Sequence, residues 1–190
     1  MILTKRQKKT TSLVATVVGS DHPGIVNLLS DVAQRFGANW AGSRMASLAG
    51  QFAGVVHFEV PGQNVEPLAN ALRGLVSSGL HVVTAIGDSS AVPAGQRIVR
   101  LELVGNDRPG IVRDLSSTLA RRGVSIEELH TEVVSAAMSA DLLFKVKALL
   151  AVPEALADDE LKRELEALAT EMMVDFELEE HASGAAPIGG

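Results

Sequence analysis

The 190 residues include no cysteine, which removes disulfides, thiolate metal sites and cysteine nucleophiles together. Aromatic side chains are scarce, at 3% against 46% hydrophobic overall, so the core must be built from Val, Leu, Ile and Ala. No apolar run reaches the roughly 18 residues that cross a bilayer. None follows the N-terminal basic run in a way that would make a signal-peptide core. The expected location is therefore cytoplasmic, with no membrane partner. An excess of positive charge is missing too: the net charge is −6. An extended nucleic-acid surface needs clustered Lys and Arg to replace phosphate counterions, so no direct nucleic-acid binding is expected. The one basic run, Lys5-Arg6-Gln7-Lys8-Lys9, reads as part of a solvated arm over residues 1–11.

What the chain does have is a stretch that occurs twice. Gly19-Ser20-Asp21-His22-Pro23-Gly24-Ile25-Val26 returns 86 positions later as Gly105-Asn106-Asp107-Arg108-Pro109-Gly110-Ile111-Val112. Val18–Gly37 set on Val104–Gly123 gives 11 identities in 20 positions. Solenoid units are usually roughly 20–50 residues long, so a period of this length means two copies of a domain. The predicted organisation is a first domain over 12–87, a linker over 88–95 (Pro, Gly and small polar residues), a second domain over 96–180, and a patternless tail over 181–190. Domains this small bury a modest core, so packing of one on the other, or a homodimer, is expected.

Each unit reads in the same order. Ser12–Gly19 is Val- and Thr-rich and reads as a buried strand. A helix follows from Pro23 to Phe36, with Ile25, Val26, Leu29, Val32, Ala33 and Phe36 on one face and Gly37 as its left-handed end. Asn39–Leu48 and Phe52–Val60 form a strand pair, Val65–Val76 a second helix with Leu75 and Val76 inward, and His81–Gly87 a closing strand. In the second unit the strands are Ile98–Gly105, Ser125–Val134, Leu142–Leu150 and Val174–Glu179. Its helices are Ile111–Arg122, with Val112 inward, and Asp158–Met172, started by an Asp pair suited to capping. Twice β-α-β-β-α-β with right-handed crossovers gives an α+β fold. It consists of two ferredoxin-like units, each an antiparallel four-stranded sheet with both helices on one face.

The repeated turn has a definite chemistry. Pro23 is tolerated in a first helical turn, Asp21 can accept from N–H groups ahead of it and cap the helix, and Gly24 lets another group approach the backbone. The N–H groups around Gly24, Ile25 and Val26 then stand unpaired at the positive end of a helix dipole, a place for a carboxylate. Read alone, the turn supports a capped helix start as well as it supports a site. Gly110 and Ile111 carry the same physics, with Arg108 where His22 stands. The spacing Gly19-x-x-x-x-Gly24 matches half of a P-loop, but Ile-Val follows where Lys-Ser/Thr is required, so nucleotide phosphate binding is excluded.

Strand, Asp-x-Pro-Gly-Ile-Val, amphipathic helix, then Gly37-Ala38-Asn39 at the next strand resembles the ACT domain, a regulatory module for amino acids and other small molecules. Gly37–Met45 with Gln51–Gly54, Ser125–Glu132 and Ser135–Met138 resemble more closely the glycine cleavage system transcriptional repressors. The resemblance implies that Gly24 meets a ligand carboxylate and Asn39 its amine, the site being completed by the other unit or a second chain. In the second unit Gly110 matches, but the shorter Ser125 holds the Asn position. It also implies a non-enzymatic protein that binds a small amino acid, glycine foremost, and regulates transcription through a protein partner such as a DNA-bound activator. A regulatory subunit of a metabolic enzyme is the alternative.

The remaining chemistry-bearing residues point elsewhere with less force. His22, His57, His81, His130 and His181 show no ligand spacing, so neither metal nor cofactor is expected. His22 beside Asp21 leaves an acid/base pair conceivable, but no nucleophile-elbow pattern accompanies it. Trp40, the single Trp, reads as core or interface packing ahead of ligand stacking.

Overall fold

A computed structural model describes residues 10–87, 95–135 and 142–180. Most of the expected arm (1–9), most of the expected linker (88–94), residues 136–138 of the second-unit motif, and the tail with His181 lie outside the described residues, as does the side chain of Met172. The chain divides into two compact units, Met1–Ser89 and Ser90–Gly190.

The first unit runs β1 (Thr10–Ser20), α1 (Ile25–Arg35), β2 (Asn39–Leu48), β3 (Gln51–Pro61), α2 (Val65–Arg73) and β4 (Leu80–Ile86). Its sheet has the order β2-β3-β1-β4, every neighbouring pair antiparallel. β1 and β2 are thus parallel with β3 between them, joined through α1, and β3 and β4 are joined in the same way through α2. The second unit repeats this with β5 (Gln96–Asn106), α3 (Ile111–Arg121), β6 (Ser125–Ser135), β7 (Leu142–Pro153), α4 (Asp158–Met172) and β8 (Val174–Glu180), in the order β6-β7-β5-β8. Both sheets have the expected ferredoxin-like form.

The period of two along the strands assigns the faces. Leu13, Ala15 and Val17 of β1, with Phe52, Val56, Phe58 and Val60 of β3, are buried beneath Leu29 and Val32 of α1 and Leu68 and Leu72 of α2. β1 is therefore buried on the helix side and open on the other: Thr16 and Val18 point outward. Val55 breaks the alternation of β3 because it belongs to that outer face. Trp40 meets Phe58 edge to face at 5.3 Å, a geometry aromatic pairs favour, so the single Trp serves the core of the first unit. In the second unit Leu101, Leu103, Val146, Leu150, Leu115, Leu119, Leu161 and Leu165 form the equivalent aliphatic core.

Helix ends depart from the sequence reading in three ways. α1 and α3 begin after Gly24 and Gly110, and neither has a side-chain cap; Asp21 and Asp107 do not cap them. α4 is preceded by Ala157 in an extended conformation, again uncapped, with Asp158 and Asp159 inside the first turn. Asp158 is ion-paired with Arg97, and both carboxylates stand at the favourable end of the helix dipole without capping it. The second helix of the first unit is α-helical only to Arg73; Gly74–Ser78 tightens into 3-10 form. Gly weakens helix propagation, and the tighter winding buries Leu75 but leaves Val76 56% exposed. Val26 and Val112, expected inward, are also on the outer sides of α1 and α3.

Two non-glycine residues hold the left-handed region, Ala49 and Met173, the latter closing α4 at a φ of 54°. The β2–β3 hairpin turns at Ala49 and Gly50, with φ of 50° and 76°. Two central residues in the left-handed region suit the twist of a two-residue hairpin, but Ala holds that conformation at a cost of about 1–2 kcal/mol. Ala49→Gly releases this and loses about 0.5–1 kcal/mol to backbone entropy, so equilibrium denaturation will show a net gain of a few tenths of a kcal/mol to about 1.

In the second unit the ion pairs of Arg122 with Glu160 and Glu164 join α3 to α4. The repeat places Phe36 at the corresponding position, where it packs on the first core. The hydrogen bond from Arg122 holds the Glu164 carboxyl below its ordinary range, and Glu164 raises Arg122. A carboxyl depressed in the folded state stabilises above its unfolded pKa, and that stabilisation disappears as pH falls through the folded value. The pair is exposed, so its effect is small and salt-screened. Glu164→Gln will lower the melting temperature slightly at neutral pH and low salt. The gap from the parent will close on acidification below the carboxylate range and on adding salt.

Candidate functional site

β1 ends at Ser20, and Asp21–Gly24 carries the chain off the sheet and into α1. The Asp21 N–H donates to the Gly50 carbonyl at 3.0 Å, which ties this turn to the tip of the β2–β3 hairpin; Asp107 donates to Leu142 at 2.9 Å in the second unit. Gly24 and Gly110 have φ of 98° and 99°, a region only glycine enters freely. The two turns are alike to within a degree there.

Each glycine carbonyl accepts the first intrahelical bond, Leu28 N–H to Gly24 and Asp114 N–H to Gly110, both at 2.9 Å. The N–H groups of Ile25, Val26 and Asn27 precede any helical partner, and no side chain caps them. A group added at Gly24 would meet nothing within 4 Å. The result is an open cradle of backbone donors at the positive end of a dipole, chemically suited to a carboxylate. Ile25 contributes its N–H alone, since its side chain is in the core, while Val26 is 48% exposed beside the cradle.

The other expected residues are placed as follows. Asp21 and His22 are exposed. The His22 Nδ1–H donates to the Pro23 carbonyl at 3.1 Å, which turns the ring back on its own backbone. Asn39 is exposed at the start of β2, opposite Glu59 of β3, and Glu59 lies opposite Ser12. The turn leaves β1 at Ser20, which lies opposite Gln51. Eight residues of β1 separate the two levels, about 26 Å at 3.3 Å per residue. Asp21, His22, Gly24, Ile25 and Val26 are thus together at one end of the first sheet, and Asn39 is at the other. A single amino acid cannot touch both in one unit.

Two features near these positions escape sequence reasoning. The first is a bulge between Trp40 and Gly42, directly after Asn39, matched by one between Ile126 and Glu128 after Ser125. An inserted residue in a strand leaves little mark on composition; bulges re-aim neighbouring side chains and occur beside functional sites. The second is Asp114, in the first turn of α3, with its Oδ2 3.6 Å from where a Cβ on Gly110 would stand. In the repeat its counterpart is Leu28. A carboxylate there occupies the favourable end of the dipole and repels another anion. The second cradle therefore has the same backbone as the first and a different field.

No group of His, Asp and Glu among the described residues is arranged to hold a metal ion. No helix among them is long and apolar enough to cross a membrane. His57 shares a 2.7 Å hydrogen bond with Ser12, on the outer face of the first sheet and away from the turn.

Comparison with known proteins adds the lineage. The family model for the ACT domain matches residues 11–87 and again 97–179. An unknown protein from Galdieria sulphuraria is 33% identical, with 92% of this chain and 100% of that one covered at a TM-score of 0.82. A candidate glycine cleavage system transcriptional repressor shares the fold at 22% identity, covering 90% of this chain and 96% of its own, with a TM-score of 0.64. No curated protein matches. The chain belongs to the ACT domain family, which it contains twice in tandem.

Proposed function

We propose that this is a non-enzymatic amino-acid sensor in which the first unit's turn takes the ligand carboxylate, and that it represses glycine cleavage genes through a protein partner with glycine as effector. The observation that carries the reading is the uncapped start of α1 behind Gly24: three backbone donors, no side-chain acceptor, and open space in front. The overall similarity to a candidate repressor of the glycine cleavage system supports the choice of pathway. The acidic balance of the chain supports action through a protein and not through DNA.

Asn39 serves the ammonium in this reading as the contribution of a second copy, because its own unit holds it at the far end of the sheet. Backbone N–H groups for the carboxylate and an Asn side-chain oxygen for the ammonium complete the recognition of an amino acid. The second turn is a scaffold: Asp114 opposes a bound anion there, and Ser125 is too short to replace Asn39. Ligand binding reaches the partner by linkage, favouring the conformation that the partner also prefers.

Calorimetric titration against the twenty amino acids tests this directly. One class of site is expected, with glycine binding, and flat traces for all twenty would refute the sensor. Gly24→Ala places a methyl in front of the cradle and will weaken binding about tenfold or more, a loss of about 1.4 kcal/mol; Gly110→Ala will leave affinity unchanged. Asn39→Ala will weaken binding while leaving the melting temperature of the ligand-free protein in place.

A further inference from the structure

The outer face of the first sheet is short of charge, and so is the unit that carries it. Residues 10–87 hold seven charged side chains, where residues 96–180 hold twenty-eight. Val14, Thr16 and Val18 of β1 run down the middle of that face, with Ala53 and Val55 of β3 beside them and Val83 of β4 on their other side. Val18, Val55 and Val83 are 45%, 45% and 71% exposed. The equivalent rows of the second sheet bring Arg100, Glu102, Lys145, Lys147, Asp175 and Glu177. Apolar residues scattered singly over a surface are ordinary, but a contiguous patch marks a place of interaction.

The backbone restricts what can lie there. β1 and β3 have a strand on each side, so the peptide groups in the middle of the face are bonded within the sheet. An occupant meets side chains only and must satisfy its own N–H and C=O groups, since leaving them unpaired on an apolar surface costs lost hydrogen bonds. A helix meets that condition, and an extended strand laid over the face does not. The size agrees. Four strands span about 14 Å, the breadth of one helix with its side chains at about 10–12 Å. From Val14 to Val18 the strand advances about 13 Å, the rise of about two and a half helical turns.

Charge gives the occupant its polar side. Arg44 stands beside Val55 at the β2 margin, and these rows contain no Asp or Glu; Glu59 comes one row further on, opposite Ser12. The same face of a second copy brings another Arg44 and no acid within the rows to answer it. We propose that the outer face of the first sheet receives one amphipathic helix of a partner protein, apolar towards Val18, Val55 and Val83 and carrying Asp or Glu along the flank beside Arg44. Helices are commonly held in this way, by an apolar stripe at i, i+3, i+4 and i+7. The proposal names a surface for the protein partner of the reading above and rests on that reading for the partner's existence alone.

The probe is a stapled, fluorescent helical peptide with a Leu stripe flanked by Glu, compared with its Lys-flanked twin by anisotropy on the full chain. The Glu-flanked peptide is expected to bind about tenfold or more tightly than the twin (about 1.4 kcal/mol). The double variant Val18→Gln/Val55→Gln is expected to weaken it by a similar factor with an unchanged far-UV spectrum. Arg44→Glu reverses the preference between the twins, an effect that misfolding does not produce. Equal affinity for the twins, a preference that Arg44→Glu leaves in place, or a folded double variant that binds as well as the parent overturns the proposal. So does a parent dimer that the double variant dissociates in sedimentation, because the occupant is then a second copy. Glycine calorimetry on the same proteins reads the sensor separately: a flat trace with the peptide preference intact refutes the sensor and supports this surface.

Discussion

The arrangement of each unit rests on a close approach at the end of its central strand. A Cβ on Gly19 would stand 2.6 Å from the Gly79 carbonyl oxygen, and one on Gly105 would stand 2.2 Å from Val174 Cγ1. Neither distance is possible for real atoms, so only glycine lets β4 and β8 begin where they do. That contact fixes the register of the outer strand on β1 or β5. The first glycine of the repeated stretch thus belongs to the architecture, whereas the second, in its left-handed conformation, shapes the cradle. Their five-residue spacing reflects two separate steric demands and has nothing to do with a phosphate loop.

Much of this was legible before any coordinates. Hydrophobic periods of 2 and 3.6 are imposed by burial, and burial is what a sequence records best. The strands from Asn39, Ser125 and Val174 begin where the pattern predicts. Failures cluster where local rules meet tertiary geometry. Asp21 looks like a cap, but Gly24 takes the capping position with its backbone. Val26 and Val112 fit the helical stripe by hydropathy but fall at its margin. The register between Asn39 and Gly24 is a property of the whole sheet, and no local motif encodes the long separation that follows.

Duplication has left two units with one backbone and different electrostatics. The turns agree in φ to a degree and the bulges recur at matching positions. Yet Asp114 stands where the first unit has Leu28, and Arg122 where it has Phe36. Backbone geometry is held by sterics that tolerate few changes, while side-chain charge at exposed positions is nearly neutral for stability. Divergence between the copies is therefore concentrated in the properties that decide what each binds.

The packing of Trp40 on Phe58 has a practical consequence. The chain has one Trp and no Tyr, so its intrinsic fluorescence reports on the first unit and is silent about the second. Circular dichroism sees both. Where the two signals part during denaturation, the difference is the second unit unfolding on its own, and the wild-type sequence carries its own domain-specific label.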